Sequence, residues 1–294
     1  MSEQVRGTVA PKEPMPITVY TPASALRDPG LMFRSMIADL RASRELAWSL
    51  ARRDLKAQYR QSLFGYIWAF IMPLTTTVAW VYLNSSGIVK VTNTGMPYAI
   101  YALTGTLLWQ MFTEALNSPL AQLNGAKNLL AKLSFPREAL ILSGMIKWWF
   151  NVGIKLLIII PALFLLGGAP DWHMAFVPLI LVAILLIGTA IGLFIAPVGL
   201  LYTDVGRMIP VVLQFAMYIT PVVLAIPSSG FAATLFRINF MTPVIVNGRA
   251  WLVGSGGSMH TELALICGAA LVLLFLGWVL FRTTMSVLIE RMSA

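Results

Sequence analysis

Six stretches of the chain are apolar over nearly the length that a membrane-spanning helix needs, which is about 20 residues. In chain order they are residues 64–83, 98–116, 148–166, 176–202, 209–226 and 263–281. The fourth stretch is long enough to be tilted, and the fifth is short, with Pro210 and Pro221 near its ends. The pattern therefore predicts an all-α integral membrane protein with six transmembrane helices.

A different pattern precedes the first apolar stretch. Between residues 31 and 62, apolar side chains recur at helical spacing and basic side chains occupy the other positions, as in Phe33, Ile37, Leu40, Ala47, Leu50, Ala51 and Leu55 against Arg34, Arg41, Arg44, Arg52 and Lys56. This arrangement predicts an amphipathic helix that lies along the inner membrane surface. A solvated helix on a soluble domain is the alternative. Five prolines within residues 1–30 predict an irregular cytoplasmic tail, which leaves residues 63–294 as the transmembrane domain.

The segment between the fifth and sixth apolar stretches is too long for a simple turn. It contains two further apolar pieces, residues 231–240 and 244–253, and each is too short to span a bilayer. Short apolar segments of this kind are typical of re-entrant or interfacial helices, so we expect two short re-entrant helices between spans five and six. On the opposite side, residues 117–138 are expected to form one or two helical turns before Pro136. Residues 202–208, with Asp204 and Arg207, are expected to form a tight loop.

Composition supports the membrane assignment. Of 294 residues, 58% are hydrophobic and 11% are charged, whereas a soluble domain has roughly 25% charged residues. These values exclude an ordinary soluble enzyme, a disordered protein and a nucleic-acid-binding domain, although the net charge is +9. No apolar run in the first 60 residues has the length of a signal-peptide core, so we expect no cleaved signal.

The placement of the basic residues predicts the orientation. With the N-terminus in the cytoplasm, 17 of the 21 Lys and Arg residues fall on the inner side. Three fall outside, namely Lys90, Arg237 and Arg249, and Lys155 falls within the third span. Because inner loops of membrane proteins are enriched in Lys and Arg, both termini are predicted to be cytoplasmic.

The chain carries few of the groups that catalysis requires. It has no GxxxxGK[ST] sequence, and residues 125–128 are the nearest fragment, so it should not bind and hydrolyse ATP by itself. Its single cysteine, Cys267, excludes a disulfide within the chain, and no Cys/His cluster points to a metal. His173 and His260 fall in outer loops and are interpreted as solvated. No acidic pair lies within a span to relay protons.

Lys155 is the only basic residue within a predicted span. It lies about 12 Å along the helix from Lys147 at 1.5 Å per residue, which is deep for a lysine that must reach the interface. It could face a polar cavity or a phosphate-bearing ligand. It could also reach the interface if Trp148 and Trp149 sit deeper than assumed. Glu114, near the inner end of span two, is expected to contribute helix-end polarity or to pair with a basic loop residue.

Three sequence motifs, together with a weaker fourth, resemble those of one transporter family. The first is residues 53–62, RDLKAQYRQS, followed by Gly65, Trp68 and Pro73. The second is residues 128–138, NLLAKLSFPRE, and the third is residues 202–205, YTDV, with Gln214 and residues 220–222, TPV. The fourth is residues 239–243, NFMTP, with Arg249. Over residues 45–285 the chain resembles the permeases of type-2 ABC exporters that move lipid-linked polysaccharides such as O-antigen, teichoic acid, galactan and capsule. Thr203 stands where the family usually has Arg, and Phe240 where it usually has Pro.

The resemblance implies a homodimer bound to two copies of a separate ATPase subunit, which would hold the ATP and Mg. It implies a channel lined by spans one and five, and a polyprenyl-diphosphate-linked polysaccharide as substrate, moved across a bacterial inner membrane. Coupling to the ATPase is expected of Arg53, Asp54, Asn128, Lys132, Phe135, Pro136, Arg137 and Asp204. The lipid diphosphate is expected at Arg53, Arg60 or Lys155. The channel aromatics are expected to be Trp68, Trp80, Tyr82, Phe215 and Tyr218.

Other interpretations stay open at this point. The basic residues could serve only as positive-inside anchors, and the aromatic residues could serve only in packing between helices. An exporter of drugs or other small molecules is an alternative within the same class. An intramembrane sugar or acyl transferase is an alternative from another class, but it would need a clustered acid, base or metal site.

Overall fold

The computed structural model describes residues 29–60, 67–91, 94–132, 135–168 and 171–293, and helices account for most of them. In this part of the chain there is no strand, which confirms an all-helical protein. The helices are α1 (Pro29–Arg60), α2 (Trp68–Ser85), α3 (Tyr98–Gly125), α4 (Lys127–Lys132), α5 (Glu138–Leu165), a 3-10 turn (Trp172–Phe176), α6 (Val177–Leu201), α7 (Thr203–Tyr218), α8 (Phe231–Ile238), α9 (Met241–Val253) and α10 (His260–Ser293). The predicted tail at residues 1–30 lies almost wholly outside the described residues.

Three helical segments of the described chain are long and apolar enough to cross a membrane. They are Glu138–Leu165, Trp172–Leu201 and His260–Met285. They coincide with the third, fourth and sixth apolar stretches of the sequence. The first, second and fifth stretches correspond to α2, α3 and α7.

Helix boundaries differ from the predicted spans in four helices. Helix α5 begins at Glu138 rather than at residue 148, and α10 continues past residue 281 to Ser293. Helix α3 continues past residue 116 to Gly125, so the first part of the predicted inner loop is helical. Helix α7 begins at Thr203, with only Tyr202 between it and α6, and it ends at Tyr218 rather than at residue 226. The chain turns there because Pro221 has no N–H for a helix and disfavours helical geometry at Thr220.

Helix α3 lies at the centre of the bundle and packs against α2, α5, α6 and α9. Its closest neighbour is α6, because glycines allow the two backbones to approach. A Cβ at Gly188 would lie 2.5 Å from the Ala115 side chain, and one at Gly199 would lie 2.6 Å from Leu120. Small residues at helix contacts are the usual means of close packing within membranes.

Helix α1 begins at Pro29, whose missing N–H is harmless at a first helical position. One stripe of the helix is buried, with Met36, Ser43, Ala47 and Ala51 fully enclosed. This stripe packs mainly on α5, and the ring of Phe33 lies 6.3 Å from Phe275 on α10. The helix predicted for residues 31–62 is therefore present, and it is fixed to the bundle rather than free in solvent.

The bundle has two distinct ends. The α1 end carries α1, α4, the start of α5 and the junction between α6 and α7. The α9 end carries the 3-10 turn, α8 and α9, with Gly254 closing α9 in a left-handed conformation (φ 85°). The two short helices lie where the sequence has its two half-length apolar pieces.

Candidate functional site

Arg53 and Asp54 lie near the C-terminal end of α1. The Arg53 guanidinium donates to Asp54 Oδ1 at 2.9 Å, and Lys147 Nζ on α5 lies 3.7 Å from Asp54 Oδ2. Asp54 therefore joins α1 to α5, while the Arg53 side chain stays largely exposed. Arg53, Lys56 and Arg60 line a shallow hollow with Ala57, so their cations share one small surface.

The second motif forms α4 and the turn into α5. Asn128 is exposed on α4, and the side chain of Lys132 at the end of α4 lies outside the described residues. Phe135 is half-buried and packs against the hydrophobic core of the chain itself, with Pro136 and Arg137 also half-buried. Part of the Phe135 side chain is thus already buried within the chain, and its exposed part is what a partner could contact.

Asp204 lies in the first turn of α7 and is strongly exposed. Its Oδ1 is 3.5 Å from Arg207 Nη1, and both side chains are 81% exposed. A carboxylate in the first turn is favoured by the partial positive charge at a helix start. The segment 202–208 was predicted to be a tight loop, and instead most of it is helical.

An ion-pair cluster that the sequence analysis did not single out joins three helices at the α1 end. Arg282 on α10 donates to Asp39 Oδ2 on α1 at 2.6 Å and to Glu138 Oε1 on α5 at 2.9 Å. Its Nη2 also lies 3.2 Å from Ser35 Oγ. Glu138 is nearly fully buried, so its charge depends on this arginine. The three positions are more than 90 residues apart along the chain, and no local pattern links them.

Lys155 has a partner inside the bundle. Its ammonium lies 2.5 Å from Glu114 Oε1, and the Lys155 side chain is 5% exposed. The two charges therefore compensate each other across α3 and α5. Glu114 is paired with a lysine of a span, not with a basic loop residue as one alternative held.

The predicted channel aromatics lie on α2 and α7, which are neighbours. The Trp80 and Tyr218 rings approach edge to face with centroids 6.3 Å apart. Phe215 is 70% exposed and Tyr82 is 66% exposed, and Trp68 is also exposed. Helix α7 buries only Ile209 and Leu213 against the rest of the chain. These two helices thus present an unusually open apolar surface.

Arg249 is buried on α9 and holds the turn after α7 by hydrogen bonds. Its Nη2 donates to the carbonyls of Pro221 and Val222 at 2.7 and 2.8 Å. The guanidinium lies 3.5 Å from the centroid of the Tyr101 ring on α3, a cation–π contact. Arg249 is one of the three basic residues predicted on the outer side, and the fold encloses it.

The two histidines lie in an aromatic group at the α9 end. His173 Nδ1 is 3.3 Å from Asp171 Oδ2, and its side chain is mostly buried beside Trp172. His260 is exposed and stacks on Trp251. The prediction of a solvated loop residue is therefore wrong for His173, because Trp172 covers its ring. Within the described ranges no three His, Cys, Asp or Glu side chains are grouped closely enough to hold a metal ion.

The chain is similar to known transport permeases. A family model described as ABC-2 type transporter matches residues 45–252, which run from the second half of α1 to the end of α9. The chain is 26% identical over 192 residues to the O-antigen export system permease protein RfbA of Myxococcus xanthus, covering 64% of this chain and 71% of the relative.

Two Klebsiella pneumoniae proteins with the same printed name are 24% and 22% identical over 178 residues, covering 60% of this chain and 67% of each relative. The family match extends over more than half of the chain and includes the motifs at both ends of the bundle. The chain therefore belongs to the ABC-2 type transporter family.

Proposed function

We propose that this chain is the membrane subunit of an ATP-driven exporter that moves a polyprenyl-diphosphate-linked polysaccharide, similar to O-antigen, across a bacterial inner membrane. The observation that carries the proposal is the family match, together with relatives whose printed names are O-antigen export permeases. The absence of a phosphate-binding loop from the sequence supports hydrolysis of ATP by a separate subunit, which would hold the ATP and Mg.

The proposed topology has six spans with both termini in the cytoplasm. Helices α2, α3, α5, α6, α7 and α10 supply the spans, and the α1 end faces the cytoplasm, in keeping with the bias of Lys and Arg. Helices α8 and α9 are proposed to enter the membrane from the outer side and turn back. Backbone that turns within a membrane needs protein or water as a partner. In the turn after α7, Arg249 supplies hydrogen-bond donors to the carbonyls of Pro221 and Val222.

The open apolar surface of α2 and α7 is proposed to face a second copy of the chain and the channel between the copies. Leu74, Val78 and Tyr82 lie four residues apart on one face of α2 and are all exposed. Phe215 and Tyr218 share one face of α7. Aromatic rings on such a wall can stack weakly on successive sugars, and weak multi-site contact suits a conduit because tight binding would stall the moving chain.

Coupling to two ATPase subunits is proposed at the α1 end. Asn128 and Asp204 are exposed there, Phe135, Pro136 and Arg137 are half-buried beside α4, and Lys132 ends α4. Through Asp54, which contacts Lys147, a displacement of α1 would be transmitted to α5. The shallow hollow beside Arg53 and Arg60 is proposed to receive the lipid diphosphate, because arginine forks match phosphate oxygens. Lys155 is proposed to balance Glu114 instead.

The test of this function is reconstitution with the ATPase subunit of the same transport system. The purified chain alone should show no ATP hydrolysis, and adding the ATPase should give hydrolysis and uptake of lipid-linked polysaccharide into inverted vesicles. Uptake of small drugs without polysaccharide would support the rival exporter. ATP hydrolysis by the chain alone, or transfer of sugar to an acceptor lipid, would contradict the proposal.

Tyr218→Ala is expected to lower polysaccharide export about fivefold, which corresponds to roughly 1 kcal/mol of lost contact at the rate-limiting step. Assembly and basal ATP hydrolysis should stay near wild type, because the Tyr218 ring is 41% exposed. Surface polysaccharide is measured against the amount of membrane-inserted chain. Phe164→Ala on α5, another exposed aromatic position, serves as the control and should export normally. Export that falls only in proportion to protein level would mean that Tyr218 serves packing alone.

Cross-linking tests the proposed ATPase contact. In a Cys267→Ser background, Asn128→Cys on α4 is expected to cross-link to the ATPase subunit in the assembled complex. Ser86→Cys is the matched control. Ser86 is exposed just after α2, at the end of the bundle opposite α4, and should not react with that subunit. Cross-linking from Ser86→Cys but not from Asn128→Cys would contradict the proposal that the α1 end faces the cytoplasm.

A further inference from the structure

Helix α1 carries more basic side chains than the proposed coupling and diphosphate roles use. Four exposed arginines, Arg34, Arg41, Arg44 and Arg52, are here called the arginine strip. At 100° per residue they lie within an arc of roughly 80°, and they extend about 27 Å along the helix. Arg53 and Arg60 lie on a different side, about 80° or more further around the helix. Arg52 lines a second hollow with Arg53 and Lys56, so the strip adjoins the diphosphate hollow at this end and is separate from it over Arg34, Arg41 and Arg44.

The orientation of this strip is fixed by the fold. The stripe of α1 that includes Met36, Ala47 and Ala51 lies to one side of the arginines and is fully buried against the bundle. Asp39 and Asp54 hold the helix at two points through Arg282 and Lys147. The helix cannot rotate to bury its arginines without breaking those contacts, so the strip faces away from the bundle.

The strip has no acidic partner among the described residues. The ion pairs of α1 involve Arg53, Asp54 and Asp39 and leave out all four arginines of the strip. Glu45 is the one acidic residue on this side, and it makes no ion pair within the part of the chain that the structure describes. Four uncompensated cations in a narrow arc favour an extended anionic surface over plain solvent.

An exposed tryptophan indicates what kind of surface that is. Trp48 is 61% exposed and falls within the same arc as the arginines. Tryptophan prefers the boundary between headgroups and hydrocarbon, where its ring is partly apolar and its N–H can reach water. Seven residues separate Arg60 from Trp68 at the start of α2, so they cover at most about 29 Å from one Cα to the other. The end of α1 is therefore tied close to a segment that enters the membrane.

We propose that the arginine strip with Trp48 binds the headgroups of anionic phospholipids in the leaflet that α1 faces. Arginine forks match the phosphodiester geometry, and the indole inserts beside them. The strip thereby selects acidic lipids around the transporter and fixes the depth of α1 in the interface. The proposal needs only that the chain spans a membrane, so it stands or falls separately from the polysaccharide substrate.

The test uses the purified full-length chain without an ATPase subunit. Binding of phosphatidylglycerol and of phosphatidylcholine is counted by native mass spectrometry over a range of lipid concentrations. Each basic residue near an anionic surface contributes about fivefold, so the quadruple change to Gln in the strip is expected to weaken phosphatidylglycerol binding by at least tenfold. Phosphatidylcholine binding should not change, and the quadruple change to Lys should keep most of the preference.

A matched control removes four charges elsewhere, by changing Lys90, Lys127, Arg207 and Arg237 to Gln. It should leave phosphatidylglycerol binding within about twofold of wild type, since these positions contribute no cation to the strip. Hydrogen exchange of residues 34–52 in nanodiscs gives a second readout. Exchange should slow when phosphatidylglycerol replaces phosphatidylcholine, and only while the strip is intact.

Three results would overturn the proposal. One is wild-type phosphatidylglycerol binding by the strip variant, and another is an equal loss in the matched control. The third, measured after the ATPase subunit is added to the strip variant, is lost association of that subunit with lipid binding unchanged, which would identify the strip as a protein-docking surface. None of these results would decide whether the chain exports polysaccharide.

Discussion

Arg282→Met is expected to lower the free energy of unfolding by about 3–5 kcal/mol, the usual effect of removing one partner of a buried ion pair. The substitution leaves Glu138 and Asp39 without their common cation, although their side chains are only 6% and 20% exposed. The chain should also release α1 locally, because the Arg282–Asp39 contact joins α1 to α10. For a chain of this size the apparent melting temperature should fall on the order of 10 °C.

Thermal unfolding in detergent and hydrogen exchange of residues 33–45 measure the two effects. The control is Arg207→Met, whose ion pair with Asp204 is exposed and should contribute less than about 1 kcal/mol. Adding Glu138→Gln to Arg282→Met should restore part of the stability, because it removes one of the uncompensated charges. Glu138→Gln is also measured alone. If its loss of stability is the same in the wild-type chain and in Arg282→Met, the two side chains are not coupled.

Arg249→Met is the second substitution expected to have a large effect. It removes the guanidinium donor to the buried carbonyls of Pro221 and Val222, and Pro221 keeps only the long 3.4 Å contact from the Tyr101 hydroxyl. An unsatisfied buried polar group costs about 1–3 kcal/mol, so the loss should be at least of that size for Val222 and larger with the weakened contact at Pro221. Because the turn after α7 would lose its anchor to α3 and α9, we also expect export to fall more than the amount of folded chain.

Arg249→Lys separates geometry from charge. One ammonium cannot reproduce the planar fork or its stacking on Tyr101, so its stability should be intermediate. Gly105→Ala approaches the same point from α3, since a Cβ there would overlap the Val222 carbonyl and lie 2.5 Å from Arg249 Nη2. Arg237→Met on the exposed side of α8 is the control. Equal melting temperatures for Arg249→Met and Arg237→Met would show that the guanidinium contacts carry no stability.

Several elements follow from the sequence because their signals are local. Helix α1 has apolar and basic positions at helical period, and α5, α6 and α10 have apolar runs long enough for a span. The two short apolar pieces after residue 226 predict two short helices, and they form as α8 and α9. The end of α7 was placed eight residues too late because its apolar character continues past Tyr218 while Pro221 already stops the helix.

The side-chain contacts that organise the site were not accessible in this way. Arg282 meets Asp39 and Glu138, Lys155 meets Glu114, and Arg249 meets the turn after α7, and each contact joins segments at least 27 residues apart. Hydropathy and Lys/Arg counts depend on neighbours along the chain, so they register these residues only as isolated charges. A charge in an apolar environment needs a partner, but the sequence does not say which of several distant groups supplies it.

The sequence by itself determined that this chain is a helical membrane protein of a recognisable transporter family, because apolar length, basic bias and short motifs are properties of contiguous residues. The tertiary structure alone decided that Lys155 forms an ion pair with Glu114 and that Arg249 donates to the turn after α7. It also placed the Trp80 ring against the Tyr218 ring. It also decided which side of α1 is buried and therefore which arginines stay exposed. These outcomes depend on how helices pack against one another, and packing is set by the shapes of all the helices together.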